Sequence, residues 1–175
     1  MSTHPAVLAS QSSAQHAMAG DKEAWLSLFA EDAFLQDPVG PSPFDPEGKG
    51  HQGKAAVERF WDNVIGKASL TIEASQRIAC ANTCAAVLHV TNDLGGGKKT
   101  IVDMVGIYEV NEEGKLSSLR VYWTGTSSSD SSKSSVLAEM EFWLNLGFVR
   151  EVEQLPALAE AAIEKYSKHW IKPKH

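Results

Sequence analysis

Few groups in this chain can do chemistry, and their surroundings in the sequence narrow what they do. Asp37 stands in Gln36-Asp37-Pro38-Val39-Gly40, a carboxylate pinned by the following proline at the end of a short apolar run. A carboxylate held this way against apolar side chains has a raised pKa and serves as a general base. An aspartate ahead of a proline also opens turns in many proteins, so a structural reading stands beside the chemical one. His89 falls in a β-rich run and shares a strand face with Thr91 and Asp93, because residues two apart point the same way. His16 lies three residues from Ser13, near one face of a helix, although a solvated or capping histidine is the more frequent case. His51 sits in a glycine-rich loop, and His169 and His175 belong to a polar C-terminus where solvent is expected. Cys80 and Cys84 form a lone C-x₃-C with no second pair, so no metal site is expected and both read as idle or buried thiols. Neither a nucleotide-binding glycine motif nor a G-x-S-x-G elbow is present, so no cofactor and no nucleophilic triad are expected.

These groups need a scaffold, and 175 residues, 43% of them hydrophobic, are enough for one compact domain with an appendage. A net charge of −6, with Lys and Arg scattered singly or in pairs, offers no basic stripe for a phosphate backbone. Nucleic acid is therefore not an expected partner. No apolar run is long enough to span a membrane, and no signal-peptide pattern opens the chain, so the expected compartment is the cytoplasm.

Two short helices are expected first, one from Pro5 to Met18 and one capped by Asp21 that carries Trp25, Leu26, Leu28 and Phe29. Ala33 to Gln36 reads as a brief strand, and Asp37 to Gly53, with four prolines, as a loop. From Lys54 the apolar residues Val57, Phe60, Trp61, Val64 and Ile65 recur at helical spacing and line one face. Four β-rich runs follow at 69–79, 83–94, 100–110 and 116–123. Short turns separate them, which predicts an antiparallel meander. Helices first and strands afterwards is an α+β order, with helices packed on the concave face of a curved sheet around a pocket. Residues 1–125 are assigned to this domain and the serine-rich 126–135 to a linker. A C-terminal helical extension is expected over 136–175, with Val136, Met140 and Trp143 on one helical stripe and Ile163, Tyr166 and Trp170 on another.

The motif at 36–40, preceded by Leu28-Phe29-Ala30-Glu31-Asp32-Ala33 and followed by Gly50 to Trp61, resembles Δ5-3-ketosteroid isomerase and its relatives in the nuclear-transport-factor-2-like superfamily. Lys99-Thr100, Gly114-Lys115 and Ser118-Leu119-Arg120 continue the resemblance in order and spacing, which spans about residues 6 to 124. It implies a cone-shaped curved antiparallel sheet and a homodimer. In the family the aspartate of this motif shuttles a proton between two substrate carbons, while a tyrosine and a protonated aspartic acid hydrogen-bond the developing enolate. The base maps onto Asp37. The oxyanion tyrosine position falls on Ser13, the oxyanion aspartic acid position falls on Gly106, and a supporting tyrosine is replaced by Trp61. Tyr108 shares a strand face with Gly106, whereas Asp103 would reach it only through a bulge.

By the same resemblance His89 faces the cavity, so that Asp37 and His89 form a pair like those of the superfamily's dehydratases. The implied activity is cofactor-free proton transfer on a small apolar carbonyl compound of steroid-like kind, with Asp37 and His89 as catalytic residues. Ser13, Phe29, Phe60, Trp61, Met104, Tyr108 and Trp123 would contact the ligand. Two alternatives stand beside isomerisation: a dehydratase or lyase using the Asp–His pair, and a non-catalytic protein that binds a hydrophobic small molecule.

Overall fold

The structure is a computed structural model and describes residues 4–123 and 127–128. The serine-rich linker and the helical extension expected at 126–135 and 136–175 otherwise lie outside the described residues. Helix α1 (Pro5–Ala19) starts on a proline, whose missing N–H would be unpaired there in any case, and stops at Gly20 in the left-handed region. Its buried residues are small, Ala6, Ala9, Ser10, Ser13 and Ala14 among them, which lets it lie close across strands β3 (Leu70–Cys80), β4 (Thr83–Gly95) and β5 (Lys98–Val110). Asp21 caps α2 (Lys22–Ser27) by accepting the Ala24 N–H at 3.0 Å. Helix α3 (Lys54–Asn63) packs against β1 (Phe29–Gln36) and buries Val57, Phe60 and Trp61, the stripe expected of it.

The sheet runs β2-β1-β6-β5-β4-β3, where β2 is His51–Gln52 and β6 is Leu116–Tyr122; β7 (Ser127–Ser128) pairs with β5. Strands β3 to β6 form the expected antiparallel meander. The sheet is mixed, however, because β1 pairs with β6 in parallel. Everything from the first loop to the meander intervenes between them, and a connection of that length is what parallel pairing requires. The same pairing corrects the boundary at α2. Phe29 is in β1 and not in the helix, since Leu28 C=O accepts the Leu116 N–H at 2.7 Å and Phe29 stands opposite Leu116. Long-range hydrogen bonds there override the local helical pattern.

The 37–53 loop folds back on β1. Gln36 Nε2 donates to the Gly48 carbonyl at 2.8 Å, and Ser42 and Asp45 form an isolated bridge. This brings Phe44 edge-on to Phe60, 6.0 Å between ring centres, so the loop closes one side of the space between α3 and the sheet.

Candidate active site

Side chains from the sheet's concave face, α1, α3 and the loop enclose a largely apolar cavity of about 140 Å³. Asp37 enters it at the end of β1, partly buried, where the strand stops at Pro38. Trp123, just past β6, donates its indole N–H to Asp37 Oδ1 at 2.7 Å. Burial disfavours the carboxylate and raises its pKa to about 6; the Trp123 hydrogen bond opposes the shift without cancelling it. The arrangement is a carboxylate that is ionised at neutral pH, basic enough to take a proton from carbon, and held in one orientation.

Tyr108 lines the same cavity from β5. Burial first, and then the negative charge of Asp37, push its hydroxyl up to about 12, against the opposing influence of Ser10 and Arg77. The phenol is therefore neutral and a donor at every pH of interest. Behind it, Arg77 Nε donates to Ser10 Oγ at 3.1 Å. A guanidinium only donates, so the Ser10 hydroxyl keeps its own hydrogen beside Tyr108, and the neutral phenol keeps one to donate. Gly106 makes this possible. A Cβ on residue 106 would come 2.7 Å from a Tyr108 ring carbon and 3.2 Å from its hydroxyl, so the ring occupies the space that a side chain at 106 would fill. Ser13 also lines the cavity; it accepts the Trp25 indole N–H at 3.1 Å and keeps its own hydrogen to donate.

Phe60, Met104 and Trp123 line the cavity as expected of ligand contacts. Phe29 and Trp61 do not. Both are buried behind Trp25, with ring centres 4.5 and 5.0 Å from its own, and Trp25 is the ring that reaches the cavity wall. On the α3 stripe, Trp61 meets Trp25 of α2 while Phe60 reaches the cavity, and Phe29 at the start of β1 packs against the same Trp25.

His89 is corrected more sharply. It stands on the outer face of β4, where its Nδ1 meets Asp103 Oδ1 of β5 at 2.7 Å, and it makes no pair with Asp37. The residues of β4 that line the cavity are Leu88, Val90 and Asn92, on the same face as the buried Cys84 and Ala86. Strands β4 and β5 pair without slippage from Thr83–Glu109 to Asp93–Lys99, so no bulge changes the pleat and Asp103 stays outside with His89. One signal could have given this parity: the odd row of β4 carries both His89 and Asp93, whereas the even row from Cys84 to Val90 is uncharged throughout. Trp25, the Ser10–Arg77 contact, Asn92 and Thr100 were not expected in the site, because each depends on which elements meet. Among the described residues no three His, Cys, Asp or Glu side chains gather as a metal site requires.

The chain resembles known proteins over this region. A family profile described as SnoaL-like domain matches residues 12–119. A steroid Δ-isomerase of Nocardioides simplex is 31% identical over 104 residues, 59% of this chain and 77% of that protein. Among solved structures, Δ5-3-ketosteroid isomerase from Mycobacterium sp. superposes with a TM-score of 0.68 at 31% identity, covering 73% of this chain and all of the other. A Mycobacterium tuberculosis protein in complex with estradiol-17β-hemisuccinate superposes at 0.66 with 35% identity, covering 70% and 95%.

Proposed function

The chain belongs to the SnoaL-like domain family of the nuclear-transport-factor-2-like superfamily, and we propose that it isomerises a steroid-like carbonyl compound by moving a proton between two carbons, without a cofactor. The observation that carries this is Asp37 itself, a carboxylate with a pKa of about 6 fixed by Trp123 in an apolar cavity. In this reading Asp37 removes a proton from the carbon between a carbonyl and a carbon–carbon double bond. Tyr108 and Ser13 donate hydrogen bonds to the oxygen as it becomes an enolate, and Asp37 returns the proton at the far end of the conjugated system. No outside acid or base enters, so the product is the conjugated enone.

Titration of 5-androstene-3,17-dione tests the reading, with enone absorbance and tryptophan fluorescence followed together. Enone formation that disappears in Asp37→Asn is the expected result; fluorescence quenching without enone would leave a binding protein. That second reading has its own support, since residues 13 and 106 lack the family's tyrosine and aspartic acid. A dehydratase working through Asp37 and His89 loses its support, because His89 lies on the other face of the sheet.

The protein is read as a cytoplasmic homodimer. Cys80 and Cys84 are both free thiols, in keeping with a reducing compartment, and among the described residues no helix is long and apolar enough to cross a membrane. Val87, Val105 and Tyr122 stand opposite one another on three adjacent strands, all exposed on the outer face, and such an apolar row suits a second copy of the sheet. Sedimentation equilibrium showing only monomer would remove the dimer from the reading.

A further inference from the structure

The cavity has a second polar place, far from Asp37. Asn92 on β4 and Thr100 on β5 stand directly opposite in register, both line the cavity, and both are almost wholly buried at 5% and 3% exposure. Asn92 Oδ1 accepts the Ser69 N–H at 2.9 Å, which fixes the amide so that its Nδ2 donors face away from that bond, uncommitted among the described residues. Thr100 Oγ1 is buried with no hydrogen-bond partner. A buried hydroxyl left unpaired is costly to the folded protein, so its presence calls for an explanation. Among the described residues no side chain bonds it: the cavity wall beside it is Leu70, Val90 and Val102, and Ser128 of β7, which stands opposite it in register, makes no hydrogen bond to it.

Its position suggests what it serves. Tyr122 pairs with Val105, which puts Trp123, the residue holding the Asp37 carboxylate, level with Met104. Thr100 lies four residues further along β5, about 14 Å at strand spacing. The wall between them is apolar, with Leu88, Val90, Val102 and Met104 facing inward. The cavity therefore reads polar, apolar, polar along its length.

We infer that Thr100 and Asn92 form a distal recognition subsite for a second oxygen, a ketone or hydroxyl, at the end of a rigid fused-ring ligand opposite its reacting carbonyl. Asn92 can only donate from its free amide group, and Thr100 can donate or accept, so either oxygen is satisfied. The inference rests on the proposed reading of the cavity and sharpens it from an apolar carbonyl compound to one oxygenated at both ends.

Equilenin and 17-deoxyequilenin, which share the phenolic end and differ only in the distal ketone, provide the test by isothermal titration calorimetry. The wild type is expected to bind equilenin about tenfold more tightly. Thr100→Val should bring that ratio close to one, Thr100→Ser should retain most of it, and Asn92→Leu should reduce it. Thr100→Val should also melt no lower than the wild type, because it removes an unpaired polar atom. Equal binding of the two compounds by the wild type, a ratio that survives Thr100→Val, or a marked loss of stability in that variant would overturn the subsite alone. Failure of both compounds to bind would overturn the reading of the cavity and the subsite with it.

Discussion

Two carboxylates in this protein receive a ring nitrogen at the same distance, and the two contacts differ in nearly every consequence. Trp123 meets Asp37 at 2.7 Å on the concave side of the sheet, and His89 meets Asp103 at 2.7 Å on the outer side. The outer pair is 46% and 85% exposed, so water screens it and solvates each partner separately. The inner contact lies against apolar side chains in a space of about 140 Å³, where the carboxylate has one hydrogen bond in place of a hydration shell and its pKa rises to about 6. A hydrogen-bonded carboxylate is thus not yet a base; exclusion of water makes it one. The sequence offered both Asp37 and His89 as catalytic residues, and of the two only Asp37 lines the cavity.

Substitutions on the two sides should separate this contrast by size of effect. Asp37→Asn is expected to lower turnover by about 10²–10⁴-fold, the usual contribution of a positioned base. It should also stabilise the fold at neutral pH. Asp37 has a pKa of about 6 in the folded state against 3.8 unfolded, so the folded protein holds this proton more tightly and loses stability as pH rises from about 4 to 6. By pH 7 the deficit is on the order of 3 kcal/mol, which Asn removes. Urea unfolding should accordingly show Asp37→Asn above the wild type at pH 7 and level with it near pH 4; a variant less stable at both would break the argument from burial.

Tyr108→Phe should follow, with a loss of about 10²-fold in kcat and little change in KM, since an enolate needs the donor more than the bound ketone does. An unchanged kcat would move the oxyanion contact to Ser13. Next in size is pH itself. The rate at saturating and at low substrate should fall about tenfold for each unit below the Asp37 pKa, because a protonated carboxyl cannot accept a proton. Trp123→Phe removes the hydrogen bond that favours the carboxylate, so it should shift that limb to higher pH, and a shift to lower pH would contradict the assignment. The smallest effect belongs to the outer pair. His89→Ala should leave turnover within about twofold and Tm within about 2 °C. A collapse of activity would erase the distinction between the faces.

Much of the fold was legible because it is written locally. The Asp21 cap, the α3 stripe, the prolines of the 37–53 loop and the turns of the meander depend on neighbouring residues, and all appear in the structure. Elements that answer to distant partners were less accessible. Phe29 looked helical until Leu116 paired with it, and the parallel contact of β1 with β6 joins segments separated by most of the domain. Within the site, Asp37 was legible as a candidate from its motif, and Tyr108 through the family resemblance that puts Gly106 on its strand face. Their setting was not: the Tyr108 ring over Gly106, and Arg77 behind Ser10, arise only when β3, β5 and α1 pack together.

By itself, then, the sequence determined which residues could act and the order of elements that carries them, since residue type, capping, turn chemistry and periodicity are short-range properties. Only the tertiary structure decided that Asp37 and Tyr108 face one cavity while His89 faces solvent. The reason is that the inward side of a strand is chosen by pairing register across the whole sheet, and a carboxylate's basicity by the combined burial that many distant residues impose.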